Sequence, residues 1–497
     1  MDSIQSLGFG RALSPKDARG RKACEAEGAM SQRSVSSRWR TGLIYIAVTG
    51  LLQAGCSTPG RNLHPVVLNG HPASIAALPV HRSEKAAVVL AAFKGSTLPD
   101  GPLKLEDLFA LALETNPDLA IAQAKAEAAR GKLVQAGLYP NPTVGIDAQQ
   151  IGLKKKEGQP GPTFAQEFVT GGKLDLAQAA AAHGVAVADW RAITQWYDLT
   201  ARIRAAFYEV LTAQREVKVS EDVLEIAKKG LDTNERLAKT GRVGEPDVLR
   251  ARVEFNQSEN RLQIAQQRLT TAWKLLATAV GIPELRLAAV DGNLEQELPS
   301  YEYESLLATV MARSSELQEA NAAVLQAQRE LDLAVAQVIP NVQVGVSPAY
   351  DIGENNPILT ASISVPVPIF NRNQGNIMAA RAEIARTTRV TQQTQVRLTE
   401  RLATAYQRYE NARKTVILYE KKVLPDATES LRLMRVGFDA GDPKFDFNAV
   451  LDAQRTLANA RLSLIQVRGE IWKAVSEIES LLQREPAPLP PPFGVCP

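Results

Sequence analysis

Large aromatic side chains are scarce: 12 Phe, 10 Tyr and 5 Trp make only 5% of the 497 residues. A single globular core of this length needs more bulk, so the composition favours long, thin helical packing. Cysteine is scarcer still. Cys24, Cys56 and Cys496 are the whole supply, too few and too terminal for a disulfide framework. His64, His71 and His81 lack Cys or carboxylate neighbours at ligand spacing, so they read as part of a solvated tether, with metal affinity as the sharper alternative. His183, the other histidine, reads as a helix-surface residue. No uncharged apolar run reaches the roughly 18–20 residues of a membrane-spanning helix. The net charge of +3, without basic runs interleaved with aromatics, argues against a nucleic-acid partner. Nucleophile–base sets, phosphate loops and clustered ligands are missing too, so no enzyme and no cofactor is expected.

What is present begins with a leader, residues 1–55. Met30 precedes Arg33, Arg38 and Arg40, the apolar run Leu43–Leu52, and Gln-Ala-Gly-Cys56. Basic, apolar and small-residue regions in that order describe a secretory signal peptide. The Ala-Gly-Cys-Ser ending resembles a bacterial lipoprotein box, which makes Cys56 the expected lipidation site; an ordinary signal peptide with an incidental cysteine is the alternative. Met30 is the expected start of translation. Residues 56–100 form the tether, and 484–497 a proline-rich tail.

Two repeats fill the interval. Pro140, Asn141, Val144 and Gly145 recur as Pro340, Asn341, Val344 and Gly345. Repeat one, 101–283, holds a helix over Leu103–Leu138, a hairpin over 143–169, a long helix over Leu174–Lys239 and a return helix to Val280. Residues 284–300 connect it to repeat two, 301–483, with a helix over Glu302–Val338, a hairpin over 342–366 and a second long helix to Phe438. That long helix contains Pro425, expected to bend or interrupt it. The second strand of hairpin one reads weakly, near Phe164–Val169. Its loop carries Lys154, Lys155 and Lys156, solvated or set against an anionic membrane surface. On the first long helix Trp196, Ile203, Val210, Val217, Leu224 and Leu231 recur every seven residues, with mostly small residues three later. Such a seam implies neighbours along its whole length, roughly 100 Å.

Two hairpins supply four strands, too few to close a barrel. A sheet in lipid must close, because an open edge leaves backbone groups unpaired. Several subunits sharing one barrel, continued by a hollow helical cylinder, is the simplest solution.

Asn116-Pro-Asp-Leu, Tyr139-Pro-Asn-Pro142, Val169-Thr-Gly-Gly-Lys173, Val365-Pro-Val-Pro-Ile-Phe-Asn-Arg-Asn-Gln-Gly375 and Val450-Leu-Asp-Ala-Gln454 together resemble TolC-like outer-membrane factors. The Pro-Ile-Phe-Asn-Arg-Asn-Gln-Gly stretch looks most like the cobalt–zinc–cadmium efflux branch. The resemblance implies a mainly α fold: a homotrimer with a helical barrel in the periplasm, topped by a shared twelve-stranded β-barrel in outer-membrane lipid. It also implies a periplasmic adaptor, a proton-driven inner-membrane pump of the resistance-nodulation-division type, and heavy-metal export. Multidrug efflux or type I secretion is the alternative cargo reading. Rivals of another class are a secreted coiled-coil scaffold, which leaves the hairpins unexplained, and a periplasmic metal-binding lipoprotein. By the same resemblance, the tips around Gly241, Val243, Gly244, Gly441 and Pro443 dock the adaptor. Asp452 matches the second acid of the family's gate motif, Ala449 replaces the first, and Asp247 matches a tip-linking aspartate whose tyrosine partner is Phe438 here. Asp439, Asp442 and Asp446 are the acids placed to compensate.

Overall fold

The computed structural model describes residues 101–151, 157–440, 445 and 447–483. They all belong to one compact unit. The leader, Cys56, the tether histidines, Lys154–Lys156, Gly441, Asp442, Pro443, Asp446 and the tail lie outside the described residues.

The first predicted helix is two helices, α1 over Leu105–Thr115 and α2 over Pro117–Ala136. Pro117 has no N–H for a continuous helix, and the Asn116 side chain accepts from the Asp118 N–H, so one helix stops and another starts there. After β1, Thr143–Gln149, and β2, Gln159–Phe168, comes α3, Lys173–Lys239, at 67 residues. The return helix is α4, Glu245–Val280. Repeat two shows the same correction, splitting at Ser314 into α5, Tyr303–Arg313, and α6, Ser315–Ala336. Strands β3, Val342–Asp351, and β4, Asn356–Ser364, precede α7, Gln374–Leu418. A π turn at Tyr419–Val423 absorbs the defect that Pro425 introduces, and α8, Leu424–Asp439, continues the rod. The last helix is α9, Phe447–Leu482.

The breaks splice helices end to end. Thr115 Oγ1 donates to the Val280 carbonyl at 3.1 Å, and Asn116 Nδ2 to that of Ala279 at 2.9 Å. The start of α2 therefore sits on the end of α4. Likewise Ser315 N donates to Gln483 Oε1 at 3.0 Å, which seats α6 on the end of α9. Each splice brings the positive end of one helix dipole to the negative end of the other. With α3 packed on α2, α4, α6 and α9, and α7 on α6 and α9, the protomer is a layer four rods wide. Its outer rods are α4/α2 on one side and α7/α8 on the other.

Along α3 the small positions Ala213, Ser220, Ala227 and Asn234 are all buried, as are Ala251, Ser258, Ala265 and Ala272 on α4. Both sets recur every seven residues. The pairs Arg268–Glu216 at 2.7 Å and Arg252–Glu235 at 3.6 Å fix the antiparallel register, so close backbone approach follows from small residues on both sides. The expected large seam is buried at Trp196, Ile203 and Val210 but only half-buried at Val217, Leu224 and Leu231.

The scarce aromatics are concentrated, which corrects the expectation of thin packing alone. Trp196, Phe207, Trp273, Tyr409 and Trp472 join a core at mid-length, under α1, α5 and the connector. The connector is tied down: Trp273 Nε1 donates to Leu285 O at 2.9 Å, Trp472 Nε1 to Leu294 O at 3.1 Å, and Tyr409 Oη to Pro299 O. Leu103 pairs with Val290 as a parallel bridge.

Candidate functional site: a two-faced sheet and a polar tip

The strands form one antiparallel sheet in the order β1-β2-β3-β4, so the two hairpins join through β2 and β3. Register sorts its faces. Val144 opposes Phe164, Phe164 opposes Val346, and Val344 opposes Ile363. With Ile146 and Leu359 they make one apolar face that is well exposed, 89% at Ile146 and 75% at Ile363. The intervening residues, Asp147, Thr163, Glu167, Gln343, Ser347 and Thr360, make the opposite face polar. An exposed apolar face backed by a polar one suits lipid outside and water inside.

The first half of β2 escaped sequence reading because Pro160 and Pro162 cannot donate to a ladder. They pair only with β1, opposite Ala148 and Ile146, whereas β2 pairs with β3 from Phe164 onward. Between them Gly161 admits the Pro348 carbonyl so closely that a Cβ would sit 2.0 Å from its oxygen.

At the far end of the rods, α3 closes in a left-handed cap. Gly241 has φ +71°; its N–H donates to Ala238 O at 3.0 Å and that of Arg242 to Leu237 O at 3.0 Å. This is a Schellman pair, which glycine makes without strain. Gly241 and Gly244 are exposed and Val243 is half-buried. Asp247 accepts from Gly244 N at 3.3 Å and lies 3.7 Å from Arg250, so it caps the start of its own helix. Asp439 is exposed at the end of α8. Phe438 meets the Phe447 ring edge-on at 5.8 Å, and Phe445 lies over Gly437. Phe438 is thus engaged by ring packing.

Asp452 projects from α9 with 76% of its side chain exposed, 3.6 Å from Arg455. Arg455 also reaches Glu254 at 2.5 Å and Gln257 at 3.2 Å on α4, tying the two helical hairpins together. Sequence reading missed this tie. Its signal was a glutamate, Glu254, on the α4 side that carries the small seam.

Asp189 and His183 are buried among the rods. Asp189 on α3 is buried beside Arg130 of α2 at 3.0 Å; burial pushes its pKa up to about 6, against the pull of Arg130. His183 is buried rather than on the surface as expected, because α3 is covered by rods on both flanks. Burial, with Arg329 nearby, lowers its pKa. Among the described residues, no three His, Cys, Asp or Glu side chains group as a metal site.

A two-faced antiparallel sheet carried on four long rods is the architecture of an envelope channel subunit. A family model for outer membrane efflux proteins matches residues 108–282 and 306–483, one match per repeat, and the chain belongs to that family. It is 28% identical over 384 residues to the cobalt-zinc-cadmium resistance protein CzcC of Cupriavidus metallidurans, covering 77% of this chain and 91% of CzcC. Protein CyaE of Bordetella pertussis is 25% identical over 220 residues, 42% of this chain and 46% of CyaE. Among solved structures, the outer membrane protein VceC of Vibrio cholerae aligns with TM-score 0.63 at 19% identity, over 76% of this chain and 95% of VceC. CusC aligns with TM-score 0.65 at 18% identity, over 76% of this chain and 91% of CusC. The chain is an outer-membrane efflux channel protein, mainly α-helical with a small sheet.

Proposed function

We propose that three copies close into one channel that passes heavy-metal cations from a periplasmic adaptor and a proton-driven inner-membrane pump to the outside. The observation that carries the ring is the pair of open sides on each protomer. Strand β1 with rod α4/α2 ends one side, and β4 with rod α7/α8 ends the other. Both rods expose apolar side chains, Ile121, Val253 and Ile264 on one and Val396, Leu418 and Val436 on the other. Joining side to side pairs the free strand edges and covers those residues. Lipidation at Cys56 would add to the hold on the membrane.

Metal cargo is favoured by the CzcC relationship, which spans most of both chains. Deleting the gene should sensitise cells to cobalt, zinc and cadmium, and the intact chain should restore resistance. Sensitivity confined to organic drugs, with metal tolerance unchanged, would replace this reading with multidrug efflux.

Asp452 would supply one carboxylate per subunit to an acidic ring at the periplasmic end. Three like charges converging on an axis attract cations. Asp452→Ala should weaken cation block of single-channel current in a planar bilayer; unchanged block would move the role to Asp439 or Asp442.

A further inference from the structure

The middle of the tunnel carries a different charge device. On α3, Trp196, Leu199, Ile203 and Phe207 point into the core beneath α1, α5 and the connector. At 3.6 residues per turn, Arg191, Asp198 and Arg202 lie on the opposite side. Three copies of that extra layer inside a ring would plug it, so the layer lies outside and this opposite side faces the pore.

There a groove of about 530 Å³ runs between α3 and α7 over α6. Its charges are Arg191 and Asp198 on α3, Glu316 and Glu319 on α6, and Arg386, Arg397 and Arg401 on α7. Glu316 is held at both carboxylate oxygens, by Arg397 at 2.5 Å and Arg401 at 2.6 Å, with 14% of its side chain exposed. Arg401 also lies 3.9 Å from Asp198, and Arg191 meets Glu319 at 2.6 Å. Arg386 is taken by Glu383 of its own helix at 2.5 Å, which leaves Arg191, Arg397 and Arg401 facing the three carboxylates. The pattern continues toward the tip as Arg202–Asp118 at 2.9 Å and Arg408–Glu477 at 3.1 Å.

We propose that Arg397 and Arg401 are specificity-determining residues that neutralise Glu316 and Asp198, so that cations cross mid-tunnel without being held. The inference rests on the ring and the cation cargo proposed above. Uncompensated, Glu316 and Asp198 would be repeated three times around one bore, a cluster that concentrates cations and slows their exit. Arginine suits the task because its planar fork stays charged and can bind a carboxylate in fixed geometry.

The test is reversal potential and zinc block of the full-length trimer in planar bilayers under a KCl gradient. Arg397→Gln/Arg401→Gln should raise cation over anion permeability severalfold and strengthen zinc block. Glu316→Gln should move selectivity the opposite way, toward anions, and Arg397→Lys/Arg401→Lys should leave it near the wild type. A merely structural role would shift both glutamine variants in one direction. That outcome, or unchanged selectivity, overturns the proposal. If the double glutamine variant does not assemble, Glu316→Gln decides alone. Unchanged metal tolerance on deletion of the gene, with these selectivity shifts intact, would instead sink the cargo reading.

Discussion

Gly281→Ala should cost the assembled channel much of its heat resistance, although it adds only one methyl group. Gly281 ends α4 with φ +100°, where an L side chain is strained, and a Cβ there would lie 2.9 Å from both the Asn116 Cα and the Thr115 carbonyl oxygen. Those are backbone atoms of the splice, so no side chain can swing aside. The conformational penalty is about 1–2 kcal/mol, and overpacking against fixed backbone adds about 1–3 kcal/mol. Against a marginal stability of roughly 5–15 kcal/mol for a typical domain, that loss is large. It also strikes the contact that continues rod α4 into α2. Gly184→Ala is the matched control. Its Cβ would meet only Gln326 at ordinary contact, 3.6 Å, within the α3 helix, where glycine is worse than alanine by roughly 0.5–1 kcal/mol. Thermal melting in detergent and heat-resistant trimer on gels should show opposite signs for the two substitutions. Equal behaviour would mean that the splice is not what holds the rods in line.

Much of this fold was legible in local patterns, and the misses share a cause. Alternation at Val342, Val344 and Val346, the heptads of α3, and the glycines closing α3 and α4 are short-range signals that tertiary structure left in place. The splices were not legible. The break at Asn116 has a local cause in Pro117 and the Asn116 cap, but the partners that Thr115, Asn116 and Ser315 splice to, Val280, Ala279 and Gln483, lie more than 160 residues away. The connector looked like a plain link because Leu285, Val290 and Leu294 lack periodicity, yet all three are buried. At the tip, Gly241 sits where expected, whereas Asp247 is engaged with its own helix start, a local use of the same side chain. The Arg455–Glu254 tie joins residues from separate repeats, and the arginines around Glu316 lie 81 and 85 residues from it. Single-sequence reading has no handle on such pairs.

Gly241→Trp should abolish efflux while leaving the trimer in the outer membrane. Gly241 stands alone at the turn: an added Cβ would meet nothing within 4 Å, so the fold has no clash to relieve. The backbone strain at φ +71° is about 1–2 kcal/mol and is confined to an exposed cap. What tryptophan changes is the surface. A bare glycine cap presents backbone that an adaptor can approach closely, and a large side chain holds it off. Strain and steric exclusion are separated by Gly241→Asn, since asparagine enters the left-handed region with less strain yet still projects a side chain. Docking through the bare backbone requires that Gly241→Asn also lose metal resistance and adaptor crosslinking, with heat-modifiable trimer retained in both variants. Full recovery in Gly241→Asn would show that the glycine serves the turn, and loss of trimer in both that it serves folding.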